Sequence, residues 1–110
     1  YRGLVHVGKN ARHTKTNVTC DAMILDAESR SDTYPTMTID RNDATVEHEA
    51  TVERLGEDTL FSLESRGISR HDAEALLVNG FIEPIAKEIP LEYSVELNRL
   101  IHFEMTKKIG

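Results

Sequence analysis

The hydrophobic pattern of this 110-residue chain changes period near Gly56, from about 2 residues to about 3.6, and one regular element cannot carry both. Ahead of Gly56, short β-leaning segments run from Leu4 to Val7, Asn17 to Leu25, Thr36 to Asp40 and Ala44 to Val52. Turn-prone stretches separate them: Gly8-Lys9-Asn10, Ser29 to Asp32, and Asp40-Arg41-Asn42-Asp43. Along a strand alternate side chains share a face, so Val46, His48, Ala50 and Val52 fall together, and Glu47, Glu49, Thr51 and Glu53 fall opposite.

Beyond Gly56 the apolar residues recur at helical spacing. Leu60, Phe61 and Glu64 mark a first helix that stops at Arg66-Gly67. Ser69 and Asp72 have the spacing of a capping box for a second, which carries Ala73, Leu76 and Leu77. Asn79-Gly80 supplies a residue able to take positive φ and is expected to end it. Ile82, Ile85, Ala86 and Ile89 then predict a third helix, closed by Pro90. A fourth has a predicted core face of Tyr93, Leu97, Leu100, Ile101 and Met105, with Lys107 and Lys108 complementing the negative end of its dipole.

Strands first and helices after argues against a doubly wound sheet and for segregated β and α parts, residues 1–55 and 56–110. Local pattern alone leaves the β part open between a small sandwich and coils of a solenoid. One modest core is all a chain of this length can bury. A net charge of −6, with scattered Lys and Arg, argues against nucleic acid held by bulk electrostatics. No apolar run approaches the roughly 20 residues that cross a bilayer, so the chain reads as soluble and not membrane-bound. A single cysteine excludes an internal disulfide, and a reducing cytoplasm is the expected home. The opening Tyr1-Arg2, without a methionine or a leader, reads as a cut from a longer protein.

Two places hold candidate chemistry. Cys20, in Val18-Thr19-Cys20-Asp21-Ala22-Met23, is either a small buried hydrophobe or a soft thiolate for iron or sulfur. His48, flanked by Glu47 and Glu49, is either a packed imidazole behind a solvated carboxylate face or a borderline ligand and proton acceptor. On a strand the two carboxylates point away from His48, which disfavours a hydrolytic metal site built from the three. His6, His13, His71 and His102 are explained by packing or exposure. No Cys-x-x-Cys, His-Glu-x-x-His, glycine-rich phosphate loop or Gly-x-Ser-x-Gly elbow occurs. One Cys and one His leave a four-coordinate site incomplete, so further ligands would come from elsewhere.

An ordered string of motifs resembles one family over nearly the whole chain. It comprises Thr33-Tyr34-Pro35, Ala44 through Thr51 with its Glu47-His48-Glu49-Ala50 centre, Leu55-Gly56-Glu57-Asp58, Leu60-Phe61, Arg66-Gly67-Ile68-Ser69 and Asn79-Gly80-Phe81. Together these look like the C-terminal region of SufB/SufD proteins, and Ile89 through Glu96 resembles the SufB side.

The resemblance implies the last coils of a right-handed parallel β-helix followed by a small helical C-terminal subdomain. It implies a scaffold for iron–sulfur cluster assembly, itself no enzyme, working with the SufC-type ATPase, which would dock on the helical region around Arg66, Gly67, Ile68, Ser69 and Phe81. By motif position it makes Cys20 and His48 the residues of cluster formation, with Glu47 and Glu49 flanking, and the cluster a transient guest. An unpaired β-helix end would invite a SufB/SufD paralogue or a second copy, giving a dimer. The alternative within the family is a SufD-like structural subunit without cluster ligands of its own.

Overall fold

The structure is a computed structural model that describes residues 1–107. Four strands come first, β1 (Arg2–Val7), β2 (Lys15–Ile24), β3 (Tyr34–Ile39) and β4 (Thr45–Arg54). Three helices follow, α1 (Glu57–Ser65), α2 (Arg70–Ala86) and α3 (Leu91–Lys107). The chain divides into two compact units, one spanning Tyr1–Arg54 and one beginning at Leu55.

In the first unit no strand pairs with its neighbour in sequence. β1 lies parallel to β3, from Arg2↔Tyr34 to Val7↔Ile39, and β2 lies parallel to β4, from Lys15↔Thr45 to Ile24↔Arg54. Parallel pairing needs a crossover between partners, and the intervening strand with its turns supplies it. The expected right-handed parallel β-helix is therefore corrected: the strands form two separate two-stranded parallel sheets, followed along the chain by three helices, and not a solenoid. A solenoid needs about three or more stacked repeats to bury a continuous core. Among the described residues each strand has one partner only, and the buried core of this unit reduces to Val7 and Ile24.

Two of the turns are tied to each other. Arg41 donates from Nε to Asp43 Oδ1 at 2.6 Å, from Nη2 to Asp43 Oδ2 at 2.8 Å, and from Nη1 to the Lys9 carbonyl at 2.7 Å. The His13 amide donates to the same carboxylate at 3.3 Å, from a residue whose φ of 52° lies in the left-handed region. A planar guanidinium with donors in a fixed fork suits this bidentate task. It holds Asp43 well below its usual value, at about 2.

The second unit buries Leu60, Ala73 and Val78. α1 ends in a Schellman motif: Ile68 N–H donates to the Leu63 carbonyl, Gly67 N–H donates to that of Glu64, and Gly67 takes φ 88°. Ser69 then caps α2, its Oγ accepting from the Asp72 amide at 3.1 Å. Arg70 fastens the two helices, donating to both Glu57 carboxylate oxygens at 2.9 and 2.7 Å and to Glu74 at 3.2 Å. That fork lowers the Glu57 pKa.

The expected end at Asn79-Gly80 is not found. α2 runs on through Gly80 and Pro84, so the predicted second and third helices are one. Burial of Val78, continued by half-buried Phe81 and Ile82, outweighs a Gly penalty of about 1 kcal/mol. Of the predicted α3 core face, Leu97, Ile101 and Met105 are half-buried while Tyr93 and Leu100 are exposed, and Ser94 completes the seam. Lys107 lies over the Phe103 ring at 4.4 Å, whereas the expectation for Lys108 lies outside the described residues. Among the described residues no helix is long and apolar enough to cross a membrane.

Candidate functional site

The site is built on β2 and β4, whose ten register pairs set what meets what. Cys20 stands opposite Ala50, and His48 stands opposite Val18. Period-two alternation puts both side chains on one face, and the imidazole reaches diagonally along it to bring Nε2 to 3.6 Å from the Cys20 sulfur. Sulfur is large, so this separation is within its hydrogen-bonding reach. Both residues are half-buried, with half-buried Val18 and Val46 beside them.

Two protonation arrangements suit the contact. With a neutral ring bearing its proton on Nδ1, Nε2 accepts from the thiol. With the proton moved across, an imidazolium donates to a thiolate. A pair of this kind can hold or release one proton while exposing a soft sulfur donor.

Glu47 and Glu49 stand apart. They occupy the opposite, exposed face of β4, paired in register with Asn17 and Thr19, and Asn17 Nδ2 donates to Glu47 Oε2 at a long 3.5 Å. They cannot share an ion with His48 in this geometry. Among the described residues no group of three or more His, Cys, Asp or Glu could hold a metal ion. The Cys20–His48 pair therefore offers two donors, and a four-coordinate iron or zinc would draw the rest from another chain or segment.

Around the helix corner, Gly67 and Ser69 have capping roles, Arg66 is the exposed C-cap of α1, and Ile68 is half-buried. Phe81 is not among them, since twelve residues of helix separate it from Ser69 by roughly 18 Å at 1.5 Å per residue. The remaining histidines stay outside the site. His6 Nε2 sits 2.8 Å from Asp40, and His13 Nδ1 sits 3.7 Å from Asp43. Among the described residues no partner meets the buried His71 Nδ1, and His102 is exposed.

Sequence reasoning missed the bond across the back of the site. Thr51 Oγ1 donates to Asp21 Oδ1 at 2.5 Å, between register partners on the face away from Cys20 and His48. It also read Arg41 and Asp43 as turn residues only. The Arg-x-Asp spacing was the available signal for their fork.

Comparison with known proteins adds a family to this geometry. Residues 1–81 match the model of the SUF system FeS cluster assembly, SufBD core domain. Over all 110 residues the chain is 52% identical to iron–sulfur cluster assembly SufBD family proteins of Mycobacterium tuberculosis and Mycobacterium leprae, covering 13% of each. It is 51% identical over its whole length to a protein of the same description from Staphylococcus saprophyticus, covering 24% of it. The chain thus spans between about an eighth and a quarter of the length of these relatives.

Proposed function

This chain belongs to the SufBD family of iron–sulfur cluster assembly proteins, and from that premise we propose that it is a scaffold segment on which Cys20 and His48 handle the nascent cluster. The observation that carries the reading is the 3.6 Å approach of Cys20 Sγ to His48 Nε2. The cluster is cargo, assembled and passed on.

In this reading His48 Nε2 takes the proton of the Cys20 thiol, and the thiolate so formed ligates iron, or attacks the outer sulfur of a donor persulfide whose inner sulfur leaves as a thiolate. Thiolate is the usual ligand of iron–sulfur clusters because its polarisable sulfur matches the soft, covalent iron–sulfide unit. On release the proton returns from the imidazolium to sulfur. Glu47 and Glu49, on the other face, would act only as solvated charge.

The rest of the complex follows the family. A SufC-type ATPase docks on the helical unit and carries the ATP chemistry, so this chain is a scaffold without catalysis of its own. A SufB/SufD paralogue or a second copy supplies the missing ligands, and the open strand edges of both sheets suit pairing with such a chain. A reducing, cytoplasmic setting keeps the single thiol free.

Anaerobic reconstitution with iron and sulfide tests this, using the longest natural polypeptide that contains the chain. Cys20→Ser and His48→Ala are expected to lose bound iron and the sulfide-to-iron absorption while remaining folded. Unchanged cluster content in both would move the chain to the SufD-like structural role.

A further inference from the structure

Cys20 and His48 bring one sulfur and one nitrogen together on a face that is otherwise aliphatic. Val18 and Ala22 flank Cys20 along β2, and Val46 and Ala50 flank His48 along β4. The carboxylates of Asp21, Glu47 and Glu49 and the thioether of Met23 fall on the opposite face by the same alternation. Among the described residues no third His, Cys, Asp or Glu joins the pair. Its donor set is therefore one thiol and one imidazole.

Metal ions differ in how many donors they need. Zinc and iron take four or more, which would leave the remaining positions to water against aliphatic side chains. Hard cations are served by carboxylate oxygens, and those lie behind the sheet. Copper(I) is a soft, filled-shell ion that two donors satisfy in a near-linear arrangement, and thiolate and imidazole are both among its ligands. Metal–sulfur and metal–nitrogen bonds of roughly 2 Å each set the donors of a linear site about 4 Å apart. Cys20 Sγ and His48 Nε2 stand 3.6 Å apart, so small rotations of two half-buried side chains open the pair far enough.

We infer that Cys20 Sγ and His48 Nε2 form a two-coordinate site for copper(I), and that copper held there shuts the pair to iron and sulfur. The blockade rests on the proposed role of the pair in cluster assembly; the binding of the ion does not. On binding, the thiol releases its proton to solvent, the thiolate and the Nε2 lone pair take the ion, and the ring keeps its proton on Nδ1. Copper stays in the +1 state throughout, and the reducing setting proposed for the thiol holds it there. With both donors occupied, Nε2 cannot accept a proton from sulfur, and sulfur cannot reach iron. A partner chain that brings further donors shifts the balance toward iron, which takes four.

Anaerobic copper(I) titration of the longest natural polypeptide that contains the chain tests this, before any cluster is built and with a chromophoric copper(I) chelator as competitor. The unsubstituted protein is expected to hold one ion more than Cys20→Ser. His48→Ala should weaken retention of that ion at least about tenfold, since groups that merely orient a ligand already command roughly 10–100-fold. X-ray absorption should show the extra ion bound by one sulfur and one nitrogen, and an excess of zinc(II) should leave it in place. Where a variant fails to fold, the unsubstituted protein still answers: copper(I) should shield Cys20 from iodoacetamide, as read by peptide mass mapping. Equal copper in Cys20→Ser, a third protein donor, displacement by zinc(II) or an unshielded Cys20 overturns the inference. Copper held by the pair in a protein whose cluster content ignores Cys20→Ser leaves the ion site standing and removes the scaffold reading. A cluster that needs Cys20 in a protein that holds no copper there does the opposite.

Discussion

Cys20 and His48 are not register partners, yet Sγ of the first lies 3.6 Å from Nε2 of the second. The contact is a diagonal one, possible because the imidazole is long enough to lean past Val18, its own partner across the ladder. A thiol and an imidazole so placed can pass one proton and offer sulfur to a metal. The backbone of a two-stranded parallel sheet supplies the spacing.

The Arg41–Asp43 fork makes the β unit sensitive to acid. Asp43 has its pKa lowered from 3.8 to about 2, chiefly by the hydrogen bond from Arg41. A carboxyl with a depressed folded-state pKa contributes stability above its unfolded value and loses it as pH falls through the folded one. The urea midpoint should therefore drop between about pH 4 and pH 2, and Arg41→Ala should lower it at pH 7 while flattening that acid dependence. Denaturation curves across this range check both, and an unaltered acid slope in Arg41→Ala would count against the fork.

Gly67→Ala should cost about 1–2 kcal/mol, the penalty for a Cβ in the left-handed region. Gly67 holds φ at 88°, and a methyl group added to its Cα would meet no atom of the described residues within 4 Å, so the effect is one of backbone conformation and not of crowding. Chemical denaturation of the variant reads it directly.

Neighbours in α1 should respond very differently to truncation. Leu60 is 1% exposed and Phe61 is 72% exposed. Leu60→Ala should destabilise by about 2–5 kcal/mol, through lost burial and the cavity left behind. Phe61→Ala should stay within about 0.5 kcal/mol, as surface substitutions do. A large effect at Phe61 would show that its ring is covered in solution.

Much of the site was legible because a strand has an unambiguous period. Alternation alone grouped His48 with Val46 and Ala50 and sent Glu47 and Glu49 to the other side, where the structure has them. The partnership of β2 with β4 was not legible, since register between segments distant in sequence is set by pairing that no local pattern encodes. The Asp21–Thr51 bond was hidden for the same reason. The resemblance carried the family correctly, but the right-handed parallel β-helix it implied gave way to two separate two-stranded sheets. In the helical unit, Ser69 and Gly67 declared their caps through local chemistry. Asn79-Gly80 misled because local turn propensity yields to burial of Val78 inside a continuous helix.

The central claim is that Cys20 and His48 act as one unit in handling the cluster, and comparing iron and sulfide content of single and double variants after anaerobic reconstitution tests it most directly. Groups that work as a unit are strongly non-additive, so Cys20→Ser with His48→Ala should lose no more cluster than Cys20→Ser alone. Independent, additive losses from the two substitutions, or full cluster content in either, would contradict the account.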